Sequence, residues 1–169
     1  VPGPPDPARW VLPPVGGGPG PEGNGQRTAD NAVVGNGMLT LRGEPDGRTG
    51  WVRQRAAVTY GRWEWRCRSR NTGSLGDLYH PRFLVEPADG RHPQSGRYDA
   101  LVCFGPNALS AGGFLYYPHD PGPVQQESWR RDGVDCTQWH NWAFEWTPDG
   151  LRGWLDGAPI YRFADGARP

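Results

Sequence analysis

The chain has 169 residues, with 18 arginines and lysines against 18 aspartates and glutamates and a formal net charge of zero, so no global field gathers nucleic acid or an acidic membrane. Its length suits one domain that buries roughly 70% of the surface exposed on unfolding, so a core forms without staples. No run reaches the apolar length of a membrane span or of a signal-peptide core, and neither nucleic acid nor membrane is expected as a partner.

Residues 1–30 are dominated by proline, glycine and polar residues, with Gly16-Gly17-Gly18-Pro19-Gly20-Pro21 at their centre. Such a stretch has no apolar face to pack, and the expectation is an irregular arm over 1–30 followed by one domain over 31–169. The opening Val1-Pro2-Gly3-Pro4-Pro5 reads like the start of a mature exported protein, and the expected location is extracellular. From Ala32 the signals are those of strands. Val33-Val34 and Met38-Leu39-Thr40-Leu41 flank Asn36-Gly37, a hairpin dipeptide because both central residues of that turn need positive φ.

Farther on, Tyr60 to Arg68 sets Arg62, Glu64, Arg66 and Arg68 against Trp63, Trp65 and Cys67; period two with that contrast is a half-buried strand. Towards the end, Trp142 to Trp146, Leu151 to Leu155 and Ala158 to Phe163 are separated by Thr147-Pro148-Asp149-Gly150 and Asp156-Gly157. Both separators are turn chemistry and predict an antiparallel meander. With no sustained 3.6-residue periodicity, the chain is expected to be an all-β sandwich. Trp63, Trp65, Trp142, Trp146 and Trp154 fall in core patterns, whereas Trp10, Trp51 and Trp129 are expected in loops or at strand edges, where indoles are exposed. Cys67, Cys103 and Cys136 are an odd set without metal-ligand spacing. One disulfide of open pairing plus one buried thiol is expected, with no metal and no cofactor.

Three blocks stand in order: Tyr60-Gly61-Arg62-Trp63-Glu64-Trp65-Arg66, then Ser95-Gly96-Arg97-Tyr98-Asp99-Ala100-Leu101-Val102, then Trp139-His140-Asn141-Trp142-Ala143-Phe144-Glu145-Trp146 leading into Thr147-Pro148-Asp149-Gly150. Together they resemble glycoside hydrolase family 16, the laminarinase-like endo-β-glucanases. The resemblance implies a concanavalin A-like jelly-roll β-sandwich of two antiparallel sheets, one of them a concave cleft that holds a polysaccharide or oligosaccharide. In that family the middle block reads Ser-Gly-Glu-Ile-Asp-Ile-Met-Glu. Its two glutamates, presented on one face by a β-bulge, serve as nucleophile and acid/base about 5 to 5.5 Å apart.

Matched on Ser95-Gly96, the nucleophile's place falls to Arg97, the middle aspartate to Asp99 and the acid/base to Val102. Arginine stays protonated and valine carries no proton to move, so no catalytic residue is expected from this motif. Tyr79-His80-Pro81-Arg82-Phe83-Leu84-Val85 resembles the family's preceding strand, with His80 and Leu84 where relatives stack tryptophans on sugar rings. Strand parity then gathers His80, Arg82, Arg97 and Asp99 on one face, with Tyr116 where relatives often have a cleft histidine. These five are the expected substrate-binding residues; an Arg97–Asp99 ion pair along the strand is the simpler account of Asp99.

The first functional expectation is a monomeric, non-hydrolytic polysaccharide-binding protein, whose glycan is anionic if the arginines are anion sites. The alternatives are an active hydrolase that pairs Asp99 with a relocated Glu127 or Asp77, both expected in loops, a polysaccharide lyase on the same fold, and an interaction domain with a filled cleft.

Overall fold

Alternation of bulky apolar and charged residues builds most strands of this chain, and turns rich in glycine, asparagine and aspartate end them. The computed structural model describes residues 1–14, 16–20, 23–70, 80–91, 93–104, 109–119 and 121–163. Contacts divide the chain into two units, Val1–Ala57 and Val58–Pro169. The first holds short strands: β1 (Trp10–Val11), β2 (Gly18–Pro19), β3 (Gln26–Arg27), β4 (Ala32–Gly35), β5 (Met38–Leu41), β6 (Arg48–Thr49) and β7 (Arg53–Gln54). Within it β4 and β5 form the hairpin read from Asn36-Gly37, in register from Ala32↔Leu41 to Gly35↔Met38. The turn carries φ of 52° at Asn36 and 74° at Gly37, the left-handed geometry that asparagine tolerates and glycine adopts freely.

The second unit is a jelly-roll sandwich of two four-stranded antiparallel sheets. One has the order β12-β11-β10-β9 and the other β15-β14-β13-β8. Their strands are β8 (Gly61–Cys67), β9 (Arg82–Val85), β10 (Arg97–Phe104), β11 (Ser110–Tyr117), β12 (Gln125–Asp132), β13 (His140–Thr147), β14 (Gly150–Leu155) and β15 (Ala158–Phe163). Two apolar clusters fill the space between the sheets. Leu101, Cys103 and Ala111 meet Val134, Cys136 and Trp142 in one, while Tyr98, Ala100 and Leu115 meet Phe144, Leu151 and Phe163 in the other. Aromatic rings bridge the layers: Trp65 lies on Phe83 at 3.9 Å between centroids and Trp63 on Phe144 at 4.6 Å. Such pairs add to the area term that dominates core stability.

Three expectations change here. Trp129 is not an exposed indole: it sits inside β12, packs against both clusters and stacks on Tyr161 at 5.0 Å. Gly113 opposite it makes this possible, since a Cβ there would meet the Trp129 indole nitrogen at 2.3 Å and the Asp99 carbonyl oxygen at 2.3 Å. Trp154 moves the other way. Leu151, Gly153 and Leu155 take the inward positions of β14, so Trp154 shares the outer face with Arg152 and lies under the Arg62 guanidinium, 4.5 Å from its centroid. Finally, the three cysteines are free thiols rather than a disulfide and a thiol. All three belong to or pack against the same apolar cluster, where burial, with nearby Cys136, pushes the Cys67 thiol up to about 11.

Candidate functional site

The face of the first sheet turned away from the core is set by β10. Tyr98 and Ala100 point into one apolar cluster and Leu101 and Cys103 into the other, so two consecutive residues face inward. That is a β-bulge, and the register with both neighbours shifts there, between Asp99 and Val102 towards β11 and between Asp99 and Leu101 towards β9. Its effect is to return Val102 to the face of Arg97 and Asp99. The backbone device that the resemblance implied is therefore present, with other side chains on it.

Cross-strand register arranges this face in rows. Leu84, Asp99, Phe114 and Ser128 form the central row, Arg82, Val102, Gly112 and Arg130 the row on one side, and Arg97, Tyr116 and Gln126 the row on the other. Asp99 and Val102 are both 0% exposed. Arg97 donates to Asp99 through Nε, 2.6 Å from Oδ1, and through Nη2, 3.2 Å from Oδ2. Arg82 adds Nη1 at 3.4 Å from Oδ2. The two arginines differ in exposure: the Arg97 side chain is 12% exposed and that of Arg82 38%. Arg97 is also held over the Tyr116 ring, 5.8 Å from its centroid.

Four of the five expected residues thus come together: Arg82, Arg97, Asp99 and Tyr116. His80 is exposed and precedes β9, with Nδ1 3.3 Å from the carbonyl oxygen of Cys103, next to Val102. The relocated-acid candidates fare differently. Glu127 is not in a loop: it lies in β12 opposite the buried Leu115, on the core side of the sheet, where the Tyr117 hydroxyl reaches it at 3.4 Å. Asp77 lies outside the described residues. Within the four strands the acids on this face are Asp99 and Asp132, two strands and about four residues apart, which strand geometry converts to roughly 16 Å. Retaining and inverting hydrolysis need about 5 to 5.5 Å and about 6.5 to 9.5 Å, so this pair serves neither.

Sequence reasoning missed Arg130, a third arginine on this face, which donates to Asp132 at 2.8 Å and reaches the Ser110 hydroxyl at 3.5 Å. Its place follows from the alternation of Glu127 and Trp129 inward with Ser128 and Arg130 outward, a pattern hidden because β12 has a single apolar residue. A depression of about 620 Å³ lies on the outer face of the other sheet between Arg62, Glu64, Arg66, Asn141 and Trp154. We give it no role in binding, because its charged walls already satisfy one another: Arg62 holds Glu64 at 2.7 Å and covers Trp154. Three or more His, Cys, Asp or Glu side chains in metal-binding array do not occur among the described residues.

No protein-family model matches the sequence, and no curated protein matches it. Solved structures do. The laminarinase from Rhodothermus marinus is 26% identical with a TM-score of 0.73, over 99% of this chain and 72% of that one. SCLam, a non-specific endo-β-1,3(4)-glucanase from family GH16, matches as a glutamate-to-serine mutant with 1,3-β-D-cellobiosyl-glucose at its active site. It is 21% identical with a TM-score of 0.76, over 98% of this chain and 72% of that one. A glutamate-to-serine variant of LamA from Zobellia galactanivorans in complex with laminaritriose and laminaritetraose is 18% identical with a TM-score of 0.70, over 99% of this chain and 79% of that one. The chain has the jelly-roll fold of these glucanases.

Proposed function

We propose that this chain binds a polysaccharide on the face of its β12-β11-β10-β9 sheet turned away from the core and does not cleave it. One observation carries the reading: the acid at the middle of that face, Asp99, is buried and engaged at both oxygens by Arg97. A carboxylate so placed is committed to guanidinium donors rather than to a sugar. Arg97 and Val102 themselves offer neither a nucleophile nor a proton donor. The fold shared with glucanases crystallised with oligosaccharides favours a glycan as ligand. We place the protein outside the cell and as a monomer, which size-exclusion chromatography coupled to light scattering checks.

The deciding experiment pairs affinity electrophoresis on β-glucans with a reducing-end assay on the same polymers. Retarded migration without new reducing ends is the expected result. Release of reducing ends that scales with protein concentration and survives repurification overturns the non-hydrolytic reading, and unretarded migration on every glucan and acidic glycan offered overturns binding.

A further inference from the structure

On the face turned away from the core, the four strands carry three arginines and two aspartates. Each aspartate has one close arginine partner: Arg97 grips Asp99 with two hydrogen bonds, and Arg130 holds Asp132 at 2.8 Å. That leaves Arg82 with a single longer contact, 3.4 Å from an Asp99 oxygen that Arg97 already engages. Its direct cross-strand neighbour is Val102, followed across the sheet by Gly112, and neither has a side-chain acceptor. Glu86 follows Arg82 by four residues, about 13 Å along an extended chain. Arg82 is therefore the least engaged arginine of these strands, a side chain 38% exposed with most of its five N–H donors unused by Asp99.

We infer that Arg82 is a specificity-determining residue that seats a carboxylate or sulfate of an acidic glycan, while Arg97 is a positioning residue committed to Asp99. The inference rests on the saccharide-binding reading above and adds the chemical class of the ligand. A planar guanidinium takes an oxyanion through two parallel hydrogen bonds, which a neutral hydroxyl does not reproduce. The Arg97–Asp99 pair holds the floor of the face in place with or without ligand, so the selectivity is confined to the exposed cation.

The test compares one β-1,3-glucan in three forms, unmodified, oxidised to carboxylate at C6, and sulfated, by titration calorimetry with the full chain. At low salt the wild type should bind at least one acidic form about tenfold more tightly than the neutral polymer, the scale of one charge-assisted hydrogen-bond pair. Arg82→Gln should erase that preference, Arg82→Lys should keep part of it, and added salt should shrink it in the wild type. Arg97→Gln, in contrast, should weaken binding to all three forms together. Equal wild-type affinity for neutral and acidic forms overturns the role of Arg82 and leaves glycan binding standing. An acidic preference unchanged in Arg82→Gln, with circular dichroism showing the variant folded, overturns the assignment to this residue, and binding to none of the three forms defeats the underlying reading.

Discussion

Asp99 is fully buried, and burial of a lone charge costs several kcal/mol unless it is met by a partner of good geometry. Arg97 supplies that geometry. Removing the acid leaves a nearly buried guanidinium without its counter-ion, so Asp99→Ala should destabilise the protein by about 3 to 5 kcal/mol, read from the urea midpoint. The double variant Arg97→Met with Asp99→Leu should lose less than Asp99→Ala alone, since replacing a whole buried pair by apolar side chains is often neutral or better. A double variant less stable than the single one would mean that the pair stabilises beyond satisfying itself.

His140 shows a second use of charge. Its Nδ1 lies 2.7 Å from Asp156 Oδ2, and Nε2 lies 3.1 Å from the Asp135 carbonyl oxygen. Partial burial works against the imidazolium, but these two acceptors outweigh it and hold the His140 pKa above its ordinary value of 6.5. Asp156 is lowered from 3.8, first by the His140 hydrogen bond and then by the Asn141 N–H. A raised histidine pKa contributes stability that is complete below about 6.5 and is lost as pH rises through the folded value, while the lowered aspartate contributes above 3.8 and loses it on acidification. The melting temperature should therefore fall as pH rises across neutrality, and His140→Asn should flatten that slope. A wild-type melting temperature that climbs over this range would contradict the assignment.

At the scale of the element, glycine at position 113 is the tightest constraint on the cleft sheet. A methyl group there meets main-chain oxygen on one side and the Trp129 ring on the other, and neither moves without breaking the β10–β11 ladder or the core. Gly113→Ala should lower the urea midpoint markedly, whereas Gly37→Ala, where a Cβ meets nothing within 4 Å, should show only the modest penalty of positive φ. How much of each strand was legible depended on contrast between its faces. Strand β8 was readable because tryptophans alternate with charges, and the hairpin turns because Asn36-Gly37 and Asp156-Gly157 suit left-handed backbone. Strand β12 was opaque: its inward side is Gln125, Glu127 and Trp129, so Glu127 was expected in a loop and Trp129 at the surface. Trp154 was misplaced for the opposite reason, since an indole among leucines looks like core although parity with Arg152 puts it outside. The five expected site residues came from motif alignment and strand parity, and four of them meet; the pairing of Arg97 with Asp99 was readable two residues apart, whereas the Arg82 contact across strands needed the register.

For the molecule as a whole, the core of the second unit is closed by packing, with no covalent link among its described cysteines. Burial holds the Cys67 pKa up at about 11, so it carries little thiolate at neutral pH, and Cys103 and Cys136 are shielded from reagent within the core. Iodoacetamide should accordingly label the native protein slowly and all three cysteines rapidly in denaturant, as counted by intact mass. Prompt native labelling of Cys103 or Cys136 would show that the sandwich opens locally on the minute timescale.

The kink in β10 has a consequence for how this protein tolerates change. Because Ala100 and Leu101 both point inward, deletion of either would rotate the rest of the strand by half a period, turning Val102 towards the interior and Cys103 towards water. The residue count of the strand is thus fixed by the bulge: a side chain that keeps its place on a face is easier to accommodate than an insertion or deletion that reverses the faces.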